Sequence, residues 1–208
     1  MGAALAHVWT AFRYEAHEQL SWMALNMVLA VLPALGALAL HRWWRGLGSF
    51  RWAVLFAVGL LLPNAPYVVT DLIHLRQAIE LAPNRAAVYA GVIPFFALLI
   101  ATGVLSYAYT LHLMRKHMRA RGWSLRRRVA VEVAVNLMCA LGVALGRISR
   151  LNSWDVFRPV RLAHGLNLVS LDPRSVVLAL AVVLLAGVAV DWAASGAVHS
   201  VRDRLRHR

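Results

Sequence analysis

Apolar residues in this chain gather into five stretches, near 20–40, 52–75, 86–111, 129–146 and 176–194, and most of the charges fall between them. Each stretch approaches the roughly 20 residues that a helix needs to cross the hydrocarbon layer of a bilayer. Trp22, Trp43, Trp44, Trp52, Trp154 and Trp192 flank the stretches, as expected of rings that favour the membrane interface. Ahead of the first stretch, Leu5, Val8, Trp9, Phe12 and Leu20 recur at helical spacing, close to Arg13, Glu15 and Glu18. Residues 1–19 therefore read as an amphipathic helix lying along the membrane surface, without the region order of a cleaved signal. The expected architecture is all-α: a polytopic membrane helix bundle of about five transmembrane helices, forming a single domain over residues 1–208.

The second stretch breaks its own pattern. From Trp52 to Leu62 it rises about 16 Å, half the hydrocarbon thickness, before Pro-Asn-Ala-Pro interrupts it at Pro63 to Pro66. Each proline removes a backbone donor and disfavours helical geometry in the residue before it, so Leu62 and Ala65 are expected to be extended. Backbone groups freed at that depth need a partner from a neighbouring helix, water or a ligand. Beyond the break, Tyr67, Asp71 and His74 follow at helical spacing, with Asn64 one turn earlier. They predict a polar stripe on one helical face.

Composition confirms the solvent. Hydrophobic residues make up 61% of the 208 positions and charged residues only 15%, more apolar surface than a soluble fold can hide. Lys and Arg number 22 against 9 Asp and Glu. Their short blocks between apolar stretches suit lipid headgroups, and no nucleic-acid reader motif accompanies them. Fourteen of the 22 fall in the first and third connections and the tail. Cytoplasmic loops retain such cations, so the N-terminus is expected outside and the C-terminus inside. The single cysteine, Cys139, excludes an internal disulfide.

A partner for the stripe is expected at the end of the fourth stretch, in GRISRLNSWD, Gly146 to Asp155. If the third and fourth stretches both cross, this segment emerges on the same side as the broken second stretch. Gly142 and Gly146 form a small-xxx-small pair that allows close helix approach. Arg147 and Arg150 would offer forked, permanently charged donors to Asp71. Asn26 and Asn136 read as interhelical hydrogen-bonding residues, Glu132 as the partner of Arg128, and Asp191 as a partner of the tail arginines.

NAPYVVTDLIHL, followed some 75 residues later by RLNSWD, resembles the bacterial integral-membrane family catalogued as domain of unknown function 1361. The resemblance implies an inner-membrane protein of similar length and supplies no catalytic residues.

The residues themselves keep three functional classes open. The first is a structural or partner-docking subunit in which an ion-pair cluster joins the second and fourth stretches. The second is a membrane enzyme acting on a lipid-linked or periplasmic anionic substrate, with Asp71, His74 and Asp155 as catalytic candidates and Asn64, Tyr67, Arg147, Arg150, Asn152 and Trp154 as binding candidates. The third is an oligomeric transporter. Asp71 and His74, three residues apart, are the candidate metal ligands; no cofactor is implied. The sequence favours the first class and leans away from catalysis. Membrane lipids, a protein partner or a second copy are the expected partners. A cavity joining Asp71, His74 and Arg150 would favour the second or third class, and a closed Asp–Arg pair the first.

Overall fold

A computed structural model describes the backbone of residues 2–185 and the side chains of residues 22–185. Helices α1 (Gly2–Trp43), α2 (Phe50–Leu61), α3 (Asn64–Tyr67), α4 (Leu75–Leu81), α5 (Arg85–Ala87), α6 (Ile93–Ala120), α7 (Leu125–Ser149), α8 (Pro159–Ser170) and α9 (Pro173–Leu185) follow in order, with no strand among the described residues. Trp22–Trp43, Phe50–Leu81, Arg85–Ala120 and Leu125–Ser149 are long and apolar enough to cross a membrane. Helices α8 and α9, bent by 96° from one another, make a fifth candidate if taken as one broken span. The fifth stretch expected at 176–194 is therefore described only in part, and Asp191 with the tail lies outside the described residues. α8 was not expected as a helix; Pro159 starts it, and its Gly165 lets it settle against Leu145, Ser149 and Leu151 at the end of α7.

No break separates residues 2–19 from the first span, since α1 is continuous. At about 63 Å it is twice as long as the hydrocarbon layer is thick. The side chains on which the surface placement of residues 1–19 rests lie outside the described set.

The interruption in the second span is milder than the sequence predicts. Leu62 (φ −55°, ψ −37°) and Pro63 (φ −59°, ψ −24°) keep right-handed helical geometry, and Ala65 lies within α3. The expected extended backbone is absent because the segment is clamped from both sides. Leu62, Ala65 and Val68 are buried in the core, and Gly103 of α6 and Gly142 of α7 leave room for Ala65 and for the Pro63 ring. The chain relieves the prolines by tightening into a 3₁₀ turn over Val68–His74. Asn64 Nδ2 donates to the Leu61 carbonyl at 2.8 Å, and the Ala65 N–H reaches the Leu62 carbonyl at 3.1 Å. Backbone groups exposed by the missing proline donors thereby find partners inside the protein.

Polar residues fasten the spans to one another. The Tyr107 hydroxyl donates to Asn136 Oδ1 at 2.9 Å, joining α6 to α7 as the interhelical reading of Asn136 expects. Ser106 donates to the Ala30 carbonyl near Pro33, which interrupts the donor series of α1. Glu132 pairs with Arg115 of α6, Arg115 Nε lying 3.0 Å from Oε2, and not with Arg128 as expected. A partner on the neighbouring helix can offer its guanidinium as a two-pronged fork across the joint.

Candidate functional site

The 3₁₀ turn and the end of α7 converge on a cavity of about 870 Å³. Phe56, Gly59 and Leu60 of α2, Met138, Leu141 and Leu145 of α7, and Leu166 of α8 form its apolar part. Asn64, Tyr67, His74, Arg147, Arg150, Asn152, Ser153 and Asp155 form its polar part, and Trp22 and Asn26 reach it from α1. The two motifs touch directly: Asn64 Nδ2 donates to Ser153 Oγ at 2.8 Å across 89 residues of sequence. Gly142 and Gly146 make this approach possible. A Cβ on Gly142 would come within 2.5 Å of the Pro63 ring, and one on Gly146 within 3.0 Å of the Tyr67 ring. The close approach expected of the small-residue pair is therefore to the interrupted part of the second span.

Asp71 does not take the partner expected of it. It is buried, and Asn26 Nδ2 donates to its Oδ2 at 3.1 Å. Arg147 is near enough to attract it, yet no ion pair joins Asp71 to Arg147 or Arg150 among the described residues. The single polar face expected of the segment is also not kept. Tyr67 and His74 line the cavity, whereas Asp71 does not. Arg147 is half-buried and in electrostatic contact with Tyr67. Among the described residues, no cluster of three or more His, Cys, Asp or Glu could hold a metal ion, so Asp71 and His74 gain no third ligand of that kind.

Removing the amide that holds a buried carboxylate costs about 1–3 kcal/mol. Asn26→Leu is therefore expected to lower thermal stability in detergent by that amount. Most of the loss should disappear once Asp71→Leu removes the carboxylate as well. Strictly additive losses would show that the two side chains do not interact.

Asp155 has a task different from the one its residue type suggests. Asn152 and Asp155 form a capping box at the start of the 3₁₀ turn Ser153–Phe157, the Asn152 N–H donating to Asp155 Oδ2 at 3.0 Å. Arg161 Nη1 lies 3.0 Å and Arg158 Nη1 3.3 Å from Oδ1. The side chain is buried, and these partners occupy both of its oxygens. Trp154 of the same turn is 45% exposed and does not line the cavity.

The Asn152 N–H, helped by Arg161 and Arg158, holds the Asp155 carboxyl below the usual carboxylate range. An unfolded carboxyl titrates near about 3.9, so the stabilisation is complete above that value and is lost as the pH falls through the lower folded value. Wild-type protein is expected to lose thermal stability below about pH 4 more steeply than Asp155→Asn. Parallel acid curves would contradict this role.

Arg150 carries the feature that sequence reasoning missed. It ends α7 in the left-handed region (φ 50°, ψ 37°), and it is the one non-glycine residue with positive φ among the described residues. That conformation favours glycine and costs an L-residue with a Cβ about 1–2 kcal/mol. The N–H groups of Arg150 and Leu151 both close onto the Leu145 carbonyl, the arrangement in which many helices end on glycine. Here an arginine that lines the cavity holds the position. The absence of glycine between Ser149 and Asn152 was the available signal.

Four helices long and apolar enough to cross a membrane, or five if α8 and α9 are taken as one broken span, define a multi-pass integral membrane protein. The chain belongs to the family described as protein of unknown function (DUF1361), whose model matches residues 25–189. No curated protein and no solved structure matches it.

Proposed function

We propose that the cavity receives an amphipathic anion from the bilayer, with Arg147 and Arg150 binding its phosphate or carboxylate head and the leucine-rich wall taking its chain. The observation that carries this reading is the division of charge around the cavity. Asp71 is held by Asn26 and Asp155 by its own turn, while Arg147 and Arg150 line open space without an ion pair among the described residues. Guanidinium groups suit such heads because their donors form a planar fork. Pockets of this size with an apolar wall and a few convergent polar groups are typical of small-molecule sites. A purely structural joint would have closed Asp71 onto one of the arginines and left no cavity. Tyr67, Asn64 and His74 stand beside the proposed head position and supply hydrogen-bonding groups there.

This reading favours the lipid-linked or periplasmic-substrate class over the docking subunit. The distribution of Lys and Arg, 14 on one side and eight on the other, supports an extracytoplasmic cavity and a cytoplasmic C-terminus. The motif resemblance supports placement in a bacterial inner membrane. Native mass spectrometry of protein extracted in mild detergent tests the proposal. Wild-type protein should retain an anionic amphiphile, and variants at Arg147 and Arg150 should lose it. Equal retention by all forms would refute the site.

A further inference from the structure

We infer a second anion site, for the phosphate of an anionic phospholipid, at the other end of the second span; it does not depend on the cavity described above. Trp44 follows α1 in the first connection, and three cationic or cation-forming groups converge on its indole. The Arg121 guanidinium at the end of α6 lies 4.9 Å from the ring centroid and that of Arg51 at the start of α2 lies 5.4 Å from it. The His117 ring is 4.7 Å away. Arg51 also lies 5.6 Å from the Trp52 ring, which meets Trp44 edge-on.

Cation–π contacts hold guanidinium groups by their faces and leave their N–H edges to other acceptors. Neither Arg51 nor Arg121 has an ion pair among the described residues, and Arg51 Nε is buried without a hydrogen-bond acceptor. No acidic residue occurs in 42–51 or 115–128, which together carry ten Lys and Arg. The nearest acid beyond them in sequence, Glu132, is taken by Arg115. Two guanidiniums gathered on one indole repel each other, and a phosphate between them would relieve the repulsion and fill their free donors.

The surroundings select a lipid over free phosphate. Trp43 (58% exposed), Phe50 (64%) and Trp52 (58%) present large apolar surfaces beside the cations. A helix end with basic and tryptophan side chains is the expected level of the headgroups.

The test is thermal unfolding of the purified full-length protein in mild detergent, with added phosphatidylglycerol, phosphatidylcholine or inorganic phosphate. Phosphatidylglycerol should raise the unfolding midpoint of wild-type protein, and the other two should not. Arg121→Gln and Arg51→Gln should each weaken the response about tenfold in lipid concentration, as expected for one charged hydrogen-bonding group. Arg126→Gln/Arg127→Gln removes charge from the same connection outside the cluster and should respond as wild type. Arg121 is exposed, so its variant keeps the test open if Arg51→Gln does not fold. The site is overturned if Arg121→Gln responds as wild type, if the Arg126/Arg127 variant loses the response equally, or if phosphatidylcholine or inorganic phosphate reproduces it.

Discussion

Changing Arg150 to glycine is expected to abolish retention of the anionic amphiphile while leaving the fold as stable as before or more so. The two effects separate because the side chain and the backbone of this residue pull in opposite directions. Its guanidinium lines the cavity, and its backbone sits at φ 50°, where glycine is at ease. A charge-assisted hydrogen bond to a phosphate or carboxylate head is worth about 1.5–3 kcal/mol, or roughly ten- to a hundredfold in affinity. Relief of the left-handed strain returns up to about 1 kcal/mol after the added freedom of the unfolded chain is set against it. Arg147→Gln should weaken binding similarly, without the gain in stability. The paired readout of midpoint and bound ligand separates a ligand-binding arginine from a structural one. A large loss of stability in Arg150→Gly would mean that the side chain holds the helix end, and unchanged binding would mean that it faces no ligand.

The second large effect is expected at Gly103. A Cβ there would lie 2.1 Å from Val68 Cγ2 and 2.3 Å from the Ala65 carbonyl oxygen. Val68 and Ala65 are fully buried, and the carbonyl belongs to the backbone of the interrupted span, so neither can yield cheaply. Gly103→Ala is expected to lose about 3 kcal/mol or more, at or beyond the upper end for overpacking, and to accumulate poorly in membranes. Gly59→Ala is the matched control, because nothing lies within 4 Å of the place its methyl group would take. It should be neutral or stabilising by up to about 1 kcal/mol, the ordinary helix preference of alanine over glycine. Equal behaviour of the two variants would contradict the packing of α6 against α3.

Much of this arrangement was legible in the chain. Length and hydropathy located the spans because lipid demands long apolar helices. Counting the crossings brought Asn64 and Tyr67 to the same end as Arg147 and Asn152, and the Gly142/Gly146 pair marked where two helices approach. The partners of individual polar groups were harder to read. Asp71 could draw on any donor at its depth, and Asn26, 45 residues away, satisfied it without the desolvation cost of a buried guanidinium. Asn152 and Asp155 carry the residue types of a polar site, yet an Asn with an acid three residues later also suits a capping box, the role they take here. Pro63 and Pro66 favour extended backbone in the residues before them by local preference, and the close packing at Gly103 and Gly142 overrides that preference. For the strained Arg150 the chain offers only the indirect signal of a helix end without glycine, because the left-handed φ is a property of the backbone.

The meeting of the two motifs can be measured by replacing Asn64 and Ser153 with cysteine in a Cys139→Ala background and oxidising the protein in native membranes. Their present side chains are joined by a 2.8 Å hydrogen bond, which puts the two positions within reach of an intramolecular disulfide after small adjustments, so one should form. A pair moved to exposed positions on the same segments, at 76 and 157, should not form one. Failure of the 64–153 pair to cross-link, with both thiols still open to alkylation, would contradict the cavity and everything proposed for it.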